Sequence, residues 1–371
     1  MALWQLGLAA TLWSAAADGT EQMRLYVGTY STRGSEGVYL YTFDAETGAL
    51  TDTGWRGPSA SPSYLAFGRG GTRLYAVNED WSQPQGRVTA FALDPETGAM
   101  TELNSVSAQG AGPCHLAVVG DRAVVIANYG SGSVVAFPLE ADGKLAEATT
   151  VDQHEGSGPN ERRQQGPHAH SITPAPDGQR IYACNLGVDR IYIYQVNEAG
   201  ELVANDPAWA TVHPGAGPRH MTFTADGQRA YVINELDSTI SLLEVDPATG
   251  GLEEVEYTAT LPADWEGNST TADVHLHPSG RFLYGSNRGH DSLAVFAVNQ
   301  TTGRLSLVQH ISTDGQTPRS FIIDPTGAWL LAANQDSDSI VVYSIDGNSG
   351  RLTRVGEPVS VPAPVCLKFA P

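Results

Sequence analysis

Seven copies of one strand pattern predict an all-β chain closed into a seven-bladed β-propeller with four-stranded antiparallel blades. The first observation is the repeat itself: four apolar or small residues and then a polar one, in LYVGT, LYAVN, VVIAN, IYACN, AYVIN, LYGSN and LLAAN. These end at Thr29, Asn78, Asn128, Asn185, Asn234, Asn287 and Asn334, with successive spacings of 49, 50, 57, 49, 53 and 47 residues. The second is the punctuation. Each copy leads into another β-rich run and then a Gly-x-Leu/Met turn, at Gly48, Gly98, Gly143, Gly200, Gly250, Gly303 and Gly350. Periods near 50 residues with four strands apiece are the mark of propeller blades.

The third observation closes the ring. A short strand precedes six of the copies (YLAF, HLAVV, SITP, MTFT, VHLH, SFII), and the first copy lacks it. The C-terminal PVCLKFAP supplies the missing strand, so it is expected beside Leu25–Thr29 in the first blade, which removes an open sheet edge. A stacked solenoid has no use for such a displaced strand. Composition agrees: 40 Gly and 22 Pro, with no long segment of helical hydrophobic period. Residues 23–371 read as one domain.

Residues 1–22 stand apart as an extension. They hold a short apolar stretch ending in SAAAD with no Lys or Arg ahead of it. A secretory signal normally carries that charge. The readings are an export signal, a disordered tail, or an upstream start with Met23 as the true beginning, the last two being favoured. The stretch is too short to span a bilayer.

The formal charge of −20 opposes nucleic acid and anionic membrane as partners. Cys114, Cys184 and Cys366 have neither zinc-site nor disulfide-framework spacing, which fits a reducing, cytoplasmic compartment. Periplasmic or secreted placement is the alternative if residues 1–22 export the chain. A monomer or weak homo-oligomer is expected.

In a propeller blade the start of the innermost strand and the end of the second share one mouth of the central channel. Counting back 15 residues from each Asn gives Ser63, Pro113, His170, Arg219, Ala272 and Arg319; just after the Asn positions come Glu79, Tyr129, Leu186, Glu235, Arg288 and Gln335. The GPRH…INEL hairpin therefore brings Arg219 and Glu235 together. His168, His220 and His275 are assigned to the same opening. So are the three longest connections, which contain Arg162, Arg163 and the segments LPADWEGNSTTADVH and EDWSQPQG. Titratable groups converging on one concavity favour a site over packing.

Each residue also has a plainer reading. Arg219 with Glu235 by itself is as well explained as a structural ion pair. The repeated Asn is more simply a turn cap, although Asn234 and Asn287 are kept as substrate-binding candidates with Gln335. His115 reads as a satisfied inner-strand histidine. His168 and His170 alternate as zinc ligands on a strand would, but no third ligand has matching spacing, so no metal is assigned. Phosphate-loop, dinucleotide and G-x-S-x-G signatures are absent, and no cofactor is expected.

GAGPRHMTF…AYVINEL, HLHPSGRFLYGSNRGHDSLAVF, GQTPRSFIIDPTGAWLLAANQDSDSIVVY and ANYGSGSVVAFPL together resemble the seven-bladed lactonase propellers, a family of 6-phosphogluconolactonases and fungal carboxy-muconate cyclising enzymes. The resemblance runs from Leu25 to Phe369. It implies cofactor-free hydrolysis of a small anionic sugar-acid lactone, typically 6-phosphoglucono-1,5-lactone of the pentose phosphate route. It also implies that His170 (or His168), Arg219, Glu235 and Arg288 surround the substrate. Asn185 departs from the family pattern, where Asp is common.

Opening a lactone requires a base for water and donors for the oxyanion. Glu235 and His170 are the candidate bases, Arg219 and Arg288 the donors, and Arg319, Arg162 and Arg163 the phosphate ligands. A cycloisomerase, a lactonase for unphosphorylated substrates, and a non-catalytic binding scaffold are the alternatives.

Overall fold

The computed structural model describes residues 22–371, so the extension read at residues 1–22 lies outside the described residues apart from Gln22. Twenty-eight strands form seven four-stranded antiparallel sheets, and no α-helix occurs among the described residues. The first blade is built from β1 (Gln22–Thr29), β2 (Gly37–Asp44) and β3 (Leu50–Pro58), and its innermost strand is the C-terminal Pro364–Phe369. The pairing of Val27 with Leu367 and Leu25 with Phe369 closes the ring as the displaced repeat required.

The repeat has a structural purpose beyond strand formation. Three residues before the Asn-type position stand Tyr26, Tyr75, Tyr182, Tyr231 and Tyr284, all buried. Their hydroxyls donate to the carbonyls of Gly98, Gly143, Gly250, Gly303 and Gly350, the turn glycines of the next blade, at 2.6–2.9 Å. Where the Tyr is missing in the last blade, Trp329 takes over, its indole donating to Ala45 at 2.8 Å. The turn glycine must be Gly for two reasons: Gly303 has φ +74°, and a Cβ there would meet the Arg229 side chain at 2.6 Å.

The repeated Asn is also a latch. Asn128, Asn287 and Asn334 send Nδ2 to the carbonyls of Ala108, Thr260 and Thr313 at the ends of neighbouring connections, at 2.9–3.0 Å. Between these polar ties the blades pack through apolar side chains. Leu25, Val27 and Phe43, for instance, pack against Leu331, Ala333 and Ile340 of the last blade.

One irregularity is repeated and decides what the channel presents. The innermost strands are β4 (Pro62–Gly68), β8 (Pro113–Val119), β12 (Ala169–Pro174), β16 (Pro218–Phe223), β20 (Thr270–Leu276) and β24 (Pro318–Ile323). Each carries one extra residue immediately after the residue paired with the Asn position. Such a bulge bends the strand and re-aims a side chain. Strict alternation would send Arg219 and His220 to opposite faces, whereas the bulge between Pro218 and His220 brings both to the channel, one above the other. In the third blade the inner hairpin is one residue shorter, so Pro113 itself pairs with Asn128 and the mouth position belongs to Cys114, not Pro113.

Candidate active site

Glu235 is the centre of the Asn-ended mouth. It follows the strand Arg229–Asn234, is buried, and accepts from three guanidinium groups. Arg219 Nε and Arg288 Nη2 both lie 2.9 Å from Oε2, and Arg163 Nη2 lies 2.6 Å from Oε1. Burial alone would push this carboxyl up. The charges of Arg288, Arg219 and Arg163 more than offset that and hold it well below the usual carboxylate range. Glu235 is therefore a permanent anion and a weak base.

Each arginine sits differently. The Arg219 side chain is only 1% exposed and forms the floor. Its Nη1 donates to the Ala272 carbonyl and meets His220 Nε2 at 3.2 Å, and its Nη2 has no partner among the described residues. Burial and the neighbouring Arg288 and Arg319 charges lower it to about 10, so it stays protonated. Arg288 also donates to the Thr271 carbonyl at 2.7 Å, while its buried Nε finds no acceptor among the described residues. Arg163 comes from the connection at residues 154–168 and reaches both Glu235 and the Tyr129 hydroxyl at 3.0 Å. Arg162 is exposed and does not join the cluster.

His170 occupies the bulge of β12 and is buried. Its ring lies edge-on to Tyr129 and to His220, with centroids 5.5 and 5.3 Å apart, and the Cys114 sulfur is 4.0 Å from Nδ1. Burial, then the Arg219 charge, hold it well below the ordinary imidazole value, so it is neutral at pH 7. His168 stacks on the other side of Tyr129 at 4.5 Å, with Nδ1 2.9 Å from the Tyr129 carbonyl. Both histidines of PHAH thus flank one tyrosine.

The far side of the mouth holds a second carboxylate that the sequence placed on the rim but did not select. Glu79 is buried and accepts from the Tyr30 hydroxyl at 2.9 Å and the Trp81 indole at 3.1 Å. Arg319 stands 4.0 Å from it and lies over the Tyr30 ring at 5.5 Å. Unlike the other three arginines, Arg319 forms no hydrogen bond among the described residues. Four guanidiniums (Arg163, Arg219, Arg288, Arg319) against two carboxylates (Glu79, Glu235) leave the mouth at +2 on a chain of −20.

Three expected site residues, Asn234, Asn287 and His275, are placed elsewhere. The amides of Asn234 and Asn287 are fully buried inside their blades, bonded to Thr239 and Ser241, and to Thr260 and Ser292, so they do not face the opening. The capping reading of the repeated Asn fits them. Asn185 does the same work on the His168 and Gly187 amides. His275 sits below the bulge, 3.3 Å from Asp273, away from Glu235. His220 is intermediate: Nε2 meets Arg219 above, and Nδ1 meets Asp273 at 2.8 Å below. Gln335 stands on the rim with its amide on Asp336.

Residues 24–369 match the family described as lactonase, 7-bladed beta-propeller. The chain belongs to this family. Among the lactonase propellers, the 6-phosphogluconolactonase of Bacillus subtilis is 39% identical over 345 residues, covering 93% of this chain and 97% of that protein. That of Formosa agariphila is 30% identical, covering 81% and 86%. The structure of the periplasmic gluconolactonase of Pseudomonas aeruginosa superposes with a TM-score of 0.90 at 34% identity, covering 94% of this lactonase-family chain and 99% of the other.

Proposed function

We propose that this mouth hydrolyses a sugar-acid lactone, with 6-phosphoglucono-1,5-lactone as the first substrate to test. The observation that carries the reading is the juxtaposition of neutral His170 with guanidiniums locked in place by Glu235. Three tied arginines need no reorganisation when charge develops on the carbonyl oxygen, which is the condition for strong electrostatic stabilisation. Arg219 Nη2, which has no partner among the described residues, is the donor left for that oxygen.

His170 takes the proton from water as the oxygen attacks the lactone carbonyl carbon. The tetrahedral intermediate collapses by breaking the ring C–O bond, and the departing alkoxide recovers the proton from the imidazolium. Glu235 holds Arg219, Arg288 and Arg163 rather than acting as base, because the three guanidiniums keep it ionised and too weakly basic to take a proton from water. Arg319, with its donors free, receives the substrate's distal anionic group. The net positive mouth favours entry of an anionic lactone.

The experiment follows acid release from freshly generated 6-phosphogluconolactone, with and without a chelator, over the spontaneous rate. A chelator-insensitive rate well above buffer is expected. A wild-type trace no faster than buffer would remove the sugar-phosphate reading and direct the same assay to unphosphorylated lactones.

A cytoplasmic location goes with a phosphorylated substrate. The periplasmic relative favours a second reading, an exported enzyme for an unphosphorylated gluconolactone. Sequencing the N-terminus of the protein recovered from fractionated cells separates the two. No helix among the described residues is long and apolar enough to cross a membrane.

A further inference from the structure

Below the bulges the channel continues into a cavity of 360 Å³ that the lactonase reading does not use. It is lined by residues further along the inner strands, among them Tyr64, His115, Asp273 and Lys368 with apolar Phe67 and Met221. Lys368, on the ring-closing strand, is half-buried. Its Nζ bonds the Tyr64 hydroxyl at 3.1 Å, lies 4.5 Å from the Tyr64 ring centroid, and pairs with no carboxylate among the described residues.

His115 stacks on Tyr64 with centroids 3.8 Å apart and is 6% exposed. Its Nδ1 accepts from the Ile172 amide at 3.2 Å. The ring proton is therefore on Nε2, which has no partner among the described residues. Sequence pattern alone read this histidine as satisfied, and the structure satisfies only half of it.

Asp273 does not fill the role of counter-ion. Its oxygens accept from His220 Nδ1, His275 Nε2, the Ser320 hydroxyl and the Val274 and Phe321 amides, at 2.8–3.3 Å. The Lys368 ammonium, the Tyr64 hydroxyl and His115 Nε2, a cation and two donors, converge on one cavity and mark an anion position.

We propose that this cavity binds a small organic carboxylate, its oxygens on Lys368, Tyr64 and His115 and its carbon body against Phe67 and Met221, at a site separate from the Glu235 mouth. The mouth would take the lactone from one face of the ring while the carboxylate enters from the other.

The test is saturation-transfer NMR with butyrate, on wild type, Lys368→Met, Tyr64→Phe and the mouth variant Arg319→Gln. Binding by wild type and Arg319→Gln is expected, with affinity in Lys368→Met reduced about tenfold or more, as for loss of a charged hydrogen-bond donor. Tyr64→Phe, which removes one hydroxyl only, decides the matter if Lys368→Met does not fold: weaker binding supports the site and unchanged binding overturns it. Binding that survives Lys368→Met, or that disappears with Arg319→Gln, overturns the proposal. So does a cavity that takes inorganic phosphate and gives no butyrate signal.

Discussion

Arg163 and Glu235 are 72 residues apart in the chain and 2.6 Å apart in the mouth, the shortest of the three ion pairs on that carboxylate. The pair ties the long connection ahead of β12 to the end of a strand in the next blade. The longest insertion in the repeat thus delivers a partner for the buried carboxylate instead of merely covering the channel.

Arg163→Ala removes the pair from its exposed side, since the Arg163 side chain is 38% exposed. Stability is expected to change by no more than about 1 kcal/mol, as for other solvent-screened pairs. Lactonase kcat/KM should fall about tenfold as Glu235 and Tyr129 lose a common partner. Urea melts beside initial rates give both numbers, and a large stability loss with normal kinetics would make the contact purely structural.

Glu235→Gln acts on the buried side. It leaves Arg219 and Arg288 without their counter-charge, and breaking such a pair costs about 3–5 kcal/mol. Denaturant unfolding should show that loss together with loss of activity. A variant as stable as wild type would mean that the guanidiniums do not depend on Glu235.

The pH profile tests His170. The base must be neutral, and burial with the Arg219 charge lowers its pKa. Lowering extends the neutral form to more acidic solution, so kcat/KM should stay level through pH 6.5 and fall only well below it. His170→Asn should reduce kcat by about 10²- to 10⁴-fold and abolish that acidic limb. An acidic limb at or above pH 6.5 in wild type would remove His170 as base.

Arg319→Gln tests where the distal anion docks. The ratio of kcat/KM for the phosphorylated lactone to that for gluconolactone should drop about tenfold or more, with gluconolactone turnover nearly unchanged. Equal losses on both substrates would place Arg319 at the reacting carbonyl instead.

Period and punctuation in the sequence were sufficient for the ring: blade number, strand count and the closing C-terminal strand follow from a repeat that cannot bury its faces alone. They were also sufficient to put Arg219, Glu235, Arg288 and His170 at one mouth, because a hairpin fixes which strand ends meet. Three things came only with the tertiary structure. The repeated bulge, one extra residue in each inner strand, breaks the two-residue alternation and turns both Arg219 and His220 inward; it also moves the third blade's mouth position from Pro113 to Cys114. Burial and charge set the state of the central carboxylate: the guanidiniums around Glu235 make it a fixed anion, a fact that spacing does not encode. Loop path did the rest, choosing Arg163 over its neighbour Arg162 and setting Glu79 between Tyr30 and Trp81, since a long connection has no period from which its side-chain directions can be read.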